Sequence, residues 1–304
     1  MRITFNMMTG RILDDLMSSS ERLMAAQKKA ASGKRISSPS DDVSGTGRAL
    51  NLRSTISEIE QYLRNGNIVK SELAAAHGAL DSIVSAIRHV RDLALQAANS
   101  TMTPEARLGI AAELDQILIT LAADGNTQHA GKYIFAGTKT NTPPIAATGV
   151  PIPPYSYDGN NMETTIQVAP WTSMCTNVTG DVVFNMGGAA VPTAPDLFST
   201  IQALKEEVVA GDTQAISNRL TDIDANLSNV AAIRSQVGAW LNRLEATTEA
   251  LLDSKLIMAD LLSKTEDIDF AEALVELRTR ENVYQAAIAT SSRILQLSLA
   301  DYLE

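Results

Sequence analysis

Residues 33–42 read Gly33-Lys34-Arg35-Ile36-Ser37-Ser38-Pro39-Ser40-Asp41-Asp42, a stop signal for one helix followed at once by a start signal for another. Upstream, residues 5–31 place Phe5, Met8, Ile12, Leu16, Leu23, Ala26 and Ala30 at three- and four-residue steps, with Ser19 the polar member of the stripe, which predicts one amphipathic helix. Lys28 and Lys29 fall in its last turn, where cations suit the negative end of the dipole, and Gly33 can take the left-handed conformation that closes it. Downstream, Ser38 is the predicted N-cap and Pro39 the first helical residue, with Asp41 and Asp42 beside the free amide protons of the first turn. A terminal helix cut off in this way can be oriented independently of the body.

From residue 42 to about residue 98 the apolar stripe runs Leu52, Ile56, Ile59, Leu63, Val69, Leu73, Ala76, Leu80, Ile83, Ile87, Val90 and Ala94. Its period is close to 3.5, with a phase slip near Asn65-Gly66-Asn67, and a helix of this extent would be roughly 80 Å long. Thr103 then caps a third helix, with Pro104 and Glu105 in its first turn and Leu108, Ala111, Leu114, Ile117, Leu118 and Leu121 as its buried face. Residues 213–264 keep strict four-three spacing through Ile216, Leu220, Ile223, Leu227, Val230, Arg234, Val237, Leu241, Leu244, Thr248, Leu251, Lys255, Met258 and Leu262.

Residues 131–195 differ in character. They gather Tyr133, Phe135, Tyr155, Tyr157, Trp171 and Phe184 with many prolines and glycines, and the β-prone run Thr164-Thr165-Ile166-Gln167-Val168 follows Asp158-Gly159, a hairpin signal. A small β-rich insertion is predicted. The final segment, residues 267–304, is again one helix, with Phe270, Leu274, Leu277, Tyr284, Ile288, Leu295 and Tyr302 along one stripe. The acids Glu266, Asp267 and Asp269 ahead of it read as a solvated cap at a helix N-terminus.

Composition narrows the function classes. Of the 304 residues, 45% are hydrophobic but only 4% aromatic, a mix suited to packed helices, and the net charge of -10 opposes affinity for phosphate backbones or anionic membranes. No nucleic-acid or membrane partner is expected. One cysteine, Cys175, allows no intrachain disulfide. The N-terminus lacks a continuous apolar segment of the secretory type, and no run approaches the length of a membrane span, so export, if it occurs, needs another route.

Catalytic, metal and cofactor chemistry finds no support. His77, His89 and His129 are too scattered to form a metal site or a nucleophile-base pair. The stretch from Gly125 to Tyr133 has the wrong spacing for a phosphate loop and follows a helix instead of a strand. Gly45-Thr46-Gly47 lacks the preceding strand of a dinucleotide fingerprint, and Asp41 with Asp42 suit capping better than proton transfer. The glycosylation patterns at Asn99, Asn177 and Asn226 lack a secretory context.

Two amphipathic helices remain at the chain ends with nothing assigned to cover them. A lone helix of this length is marginal in water, and pairing the two would bury one seam and leave apolar surface over, so association between subunits is predicted. Four stretches then carry a resemblance: Met1-Arg2-Ile3-Thr4 at the start, SGKRISSPSDD from Ser32, GKYIFAGTKTNTPP from Gly131, and LSLADYL from Leu297. Together they resemble the flagellin superfamily; Ala300 stands where a bulky aromatic would be usual.

The resemblance implies a mainly α protein: a long antiparallel helical bundle with a flagellin-like core, a small β-rich insertion, and terminal helices that order on assembly. By that likeness residues 1–41 are the N-terminal assembly helix and spoke, 42–130 the long helices of the rod and 131–195 the outer insertion. Residues 196–265 are the returning long helix and 266–304 the C-terminal assembly helix. It implies a non-enzymatic, extracellular part of the bacterial flagellum, exported by flagellar type III secretion. The tracts at 131–144 and 269–303 favour a place at the junction of hook and filament over the filament itself; an adhesin or enzyme carried on the insertion is the remaining alternative. The implied partners are further copies of the chain, the larger hook-associated junction protein, flagellin, and an export chaperone on the C-terminal helix, with no cofactor. The assembly interface is assigned to Met8, Ile12, Leu16, Leu23, Leu274, Leu277, Tyr284, Ile288, Leu295 and Tyr302.

Overall fold

The computed structural model describes the backbone at residues 5–149, 154–186 and 195–303, and the side chains of residue 7 and of residues 9–149, 154–186 and 195–293. The chain divides into two compact units, one made of Met1–Glu58 with Asp253–Glu304 and the other of Ile59–Leu252. Two helices pass through both: α2 (Val43–Ala97) and α6 (Thr213–Glu266).

The first unit adds the terminal helices α1 (Phe5–Ser32) and α7 (Phe270–Leu303), which pack along each other. Gly33 adopts φ 67°, and its N–H donates to the Lys29 carbonyl at 3.0 Å, closing α1 as its sequence position requires. The Gly33 carbonyl accepts the N–H of Ile268 at 3.1 Å, so the end of α1 is stitched to the start of α7 and the two helices run antiparallel.

The start of α2 corrects the sequence reading. The helix begins at Val43, and its cap is Asp42, whose Oδ1 accepts the N–H of Gly45 at 2.8 Å. Ser38 and Pro39 belong instead to a turn closed by the Asp41 N–H on the Ser38 carbonyl at 3.0 Å. Asp41 Oδ2 braces that turn, accepting the N–H groups of Ser37 at 3.0 Å and Ser38 at 2.9 Å. A carboxylate is a stronger acceptor than a serine hydroxyl, and with two available the chain uses one for the turn and one for the helix. Both are held below the usual carboxylate range, Asp41 by the Ser37 amide first and Asp42 by the Gly45 amide.

In the second unit α2 and α6 form an antiparallel pair. Lys70 meets Glu245 at 3.5 Å, Arg234 meets Asp81, and Arg91 meets Asp224 at 2.6 Å, each step forward on α2 matched by an equal step back on α6. Partly exposed ion pairs contribute about 0–1 kcal/mol each, so they mark the register more than they hold it. The holding falls to the buried stripe Val69, Leu73, Ala76, Leu80, Ile83, Ile87, Val90 and Ala94 against Ile216, Ile223, Val230, Val237 and Leu244. Each fully buried side chain of this size is worth about 1.5–3 kcal/mol. At the phase slip Gly66 faces the seam, where an added Cβ would lie 3.6 Å from both Leu244 and Thr248.

Helix α3 (Pro104–Gly125) starts at the predicted cap, Thr103 Oγ1 accepting the Ala106 N–H at 3.3 Å. Its buried face is Ile110, Ala111, Leu114, Ile117, Leu118 and Leu121; Leu108, predicted inside, is 58% exposed, lying roughly 120° around the helix from Leu114 and so beyond the edge of that face. A further helix, α5 (Leu197–Ala210), packs on α3 and is separated from α6 by Gly211 in the left-handed conformation.

The insertion consists of three antiparallel hairpins and a short helix: β1 (Gln128–His129) with β2 (Lys132–Tyr133), β3 (Ile145–Ala147) with β4 (Tyr155–Tyr157), β5 (Thr165–Ala169) with β6 (Thr172–Cys175), and α4 (Gly180–Phe184). Asp158-Gly159 is not a hairpin turn: β4 pairs back to β3, and β5 turns through Pro170 and Trp171. The next residue, Asn160, is tied elsewhere, its N–H donating to Ala136 at 3.2 Å and its Oδ1 accepting the Thr138 N–H at 2.8 Å. Phe184 anchors the insertion core, 6.2 Å from Phe135 and 5.3 Å from Phe198 between ring centroids.

Candidate assembly interface

The terminal helices carry two apolar stripes each, and pairing buries one. On α1, Ile12, Leu16 and Leu23 are half-buried and Ala26 is buried, while Met7, Leu13, Met17 and Met24 are each more than half exposed. On α7, Ala273 is buried and Leu277, Tyr284 and Ala287 are half-buried, a stripe at steps of four, seven and three residues. Leu274 at 43% and Ile288 at 44% exposure lie outside that stripe, together with Phe270, Val275 and Val283.

The residues assigned from sequence therefore divide. Ile12, Leu16, Leu23, Leu277 and Tyr284 are half-buried where α1 packs along α7, whereas Leu274 and Ile288 stay on the open face. The side chains of Met8, Leu295 and Tyr302 lie outside the described residues. Most of the large hydrophobic side chains exposed among the described residues belong to the smaller unit, including Val43 and Leu50 on α2 and Leu256 and Ile257 on α6. These side chains are the candidate interaction surface, since large exposed apolar patches mark such sites.

A polar cluster next to the helical pair escaped the sequence reading. Glu266, taken there as part of a solvated cap, has a side chain only 8% exposed, clamped between Lys34 Nζ at 2.7 Å and Arg53 Nη2 at 2.6 Å. Burial alone would raise its pKa, but hydrogen bonds from Lys34 and Arg53 outweigh that and hold it below the usual carboxylate range. The cap of α7 is Asp269, whose Oδ1 accepts the Ala271 N–H at 2.9 Å. No local signal pointed to it: Arg53 has no acid three or four residues away on its own helix, but neither has Arg48. Among the described residues, no cluster of His, Cys, Asp and Glu could hold a metal ion, and no helix is long and apolar enough to cross a membrane.

Residues 3–140 match the bacterial flagellin N-terminal helical region and residues 220–303 the bacterial flagellin C-terminal helical region. With the paired terminal helices and the α2–α6 rod, these matches make the chain a member of the bacterial flagellin family. Within that family it is similar to flagellar hook-associated protein 3 of Salmonella typhimurium, 26% identical with 98% of each chain covered. The protein of the same name from Escherichia coli K12 is 25% identical over the same share. A solved structure of a flagellar hook-associated protein from Vibrio parahaemolyticus superimposes with a TM-score of 0.67 at 26% identity, covering 75% of this chain and 100% of that one.

Proposed function

We propose that the chain is a structural, non-enzymatic component of the bacterial flagellum that joins hook to filament. The carrying observation is the apolar face that α1 and α7 leave open after pairing, which a neighbouring subunit would cover. End-to-end similarity to hook-associated proteins of two bacteria favours the junction over the filament. On this reading copies of the chain form a ring that adapts a flexible hook to a stiff filament. The ring contacts the larger hook-associated junction protein on one side and flagellin on the other. Before assembly the chain passes through flagellar type III secretion, with an export chaperone shielding the C-terminal helix, and its terminal helices order fully when they meet their neighbours. Flagellin is the competing role.

Deleting the gene tests the proposal: cells should secrete flagellin into the medium and fail to retain filaments, while hooks persist. Normal filaments on the deletion strain would refute it. Incubating purified protein with filament seeds separates the rival, since a filament subunit would extend them into long fibres of this chain alone.

A further inference from the structure

Glu266 stands where two connections meet, the one from α1 to α2 and the one from α6 to α7. Its carboxylate oxygens are shared between Lys34 and Arg53, and its carbonyl accepts the N–H of Arg35 at 2.6 Å and of Ile36 at 3.5 Å. Arg35 Nη2 donates to the Thr265 carbonyl at 2.7 Å, and the Ile268 N–H donates to Gly33. The other charges facing the cluster are Asp42, 3.5 Å from Arg35 Nη1, and Asp267, whose backbone bridges Lys34. Ile36 is the buried apolar residue of the first connection; the rest of it is polar or exposed.

We propose that Glu266 is a charge-operated latch: its carboxylate, paired with Lys34 and Arg53, holds the two connections together, and neutralising it releases them while the helices stay folded. A buried acid is tolerated only while paired, so the two cations are what keep the carboxylate inside. The cations themselves are 40% and 48% exposed, so water accommodates them once the acid is gone and the cost stays local. What is then lost is the backbone stitching at Arg35, Ile36 and Ile268, which has little apolar packing behind it. The latch rests on this geometry alone and stands or falls independently of the flagellar reading.

The test is amide hydrogen exchange on the full chain, wild type against Glu266→Gln, which keeps the shape and removes the charge. Exchange at Arg35, Ile36 and Ile268 should rise about tenfold or more, with Leu80 and Ile83 in the buried seam of α2 unchanged. Unchanged exchange at the three amides, or a rise spread equally through α2, would each overturn the latch.

Discussion

A Cβ on Gly45 would stand 2.4 Å from Ile36 Cδ1 and 2.5 Å from Asp42 Oδ2. The glycine is thus the floor on which the connection from α1 folds back, meeting both the buried apolar residue of that connection and the carboxylate that caps α2. Its N–H also donates the hydrogen bond that Asp42 Oδ1 accepts, so cap and close approach meet at one residue.

Gly45→Ala is accordingly expected to destabilise the start of α2 despite alanine's better helix propensity. Loss of the Asp42 cap costs about 1 kcal/mol, and displacing Ile36 adds to it, against a propensity gain of about 1 kcal/mol. Gly78→Ala is the matched control, because nothing lies within 4 Å of its added Cβ in mid-helix. It should stabilise by about 0.5–1 kcal/mol. Urea unfolding followed by circular dichroism would compare the two, and Asp42 exchange-protection at Gly45 would report the lost cap directly.

The two stripes of α7 should separate in mutagenesis. Leu277→Asp places a charge where α7 packs on α1 and should loosen that pair by on the order of 2 kcal/mol in the isolated chain. Leu274→Asp and Ile288→Asp change exposed positions, so the isolated chain should melt within about 0.5 kcal/mol of wild type. Both should nevertheless impair assembly, read as sedimentation of assembled protein or as flagellin shed by swimming cells.

Tyr157 offers a pH prediction. Its hydroxyl lies 2.9 Å from the carbonyls of Phe135 and Asn160, and burial first, then the Asp181 carboxylate, pushes its pKa up to about 12. The folded form keeps the proton longer than the unfolded chain, whose tyrosine titrates near its ordinary value of 10.0, so stability falls as pH rises from about 10 through 12. Tyr157→Phe should remove that alkaline loss and cost about 1 kcal/mol at neutral pH. Denaturant midpoints across this pH range would check both.

Trp171 turns the β5–β6 hairpin at φ 62° and is 100% exposed. A left-handed backbone costs an L-residue about 1–2 kcal/mol, and nothing buried repays it at this position. Trp171→Asn, which tolerates that conformation, should raise the melting temperature slightly or leave it unchanged.

Helix extents were legible in the sequence because they follow from local chemistry. A four-three stripe and a Thr103–Pro104 cap carry their meaning in adjacent residues, and the helices at residues 5–31 and 213–264 are found as Phe5–Ser32 and Thr213–Glu266. The flagellin likeness was legible as well, since its motifs are contiguous. The cap at Asp42 was not, because two serines, a proline and two aspartates within five positions offer several local solutions of similar energy. Gly159, too, obeyed a contact the local pattern hides: a Cβ there would come within 2.3 Å of the Tyr157 ring.

Periodicity by itself determined that both ends of this protein are amphipathic helices and that two long helices carry apolar seams; that the seams belong to one antiparallel bundle came from the flagellin likeness. Only the tertiary structure decided which stripe of α7 turns inward and that Glu266 is buried between Lys34 and Arg53. Such choices belong to pairs of residues more than two hundred positions apart, as in Lys34 and Glu266, and a local pattern holds no information about which distant surface will arrive to cover it.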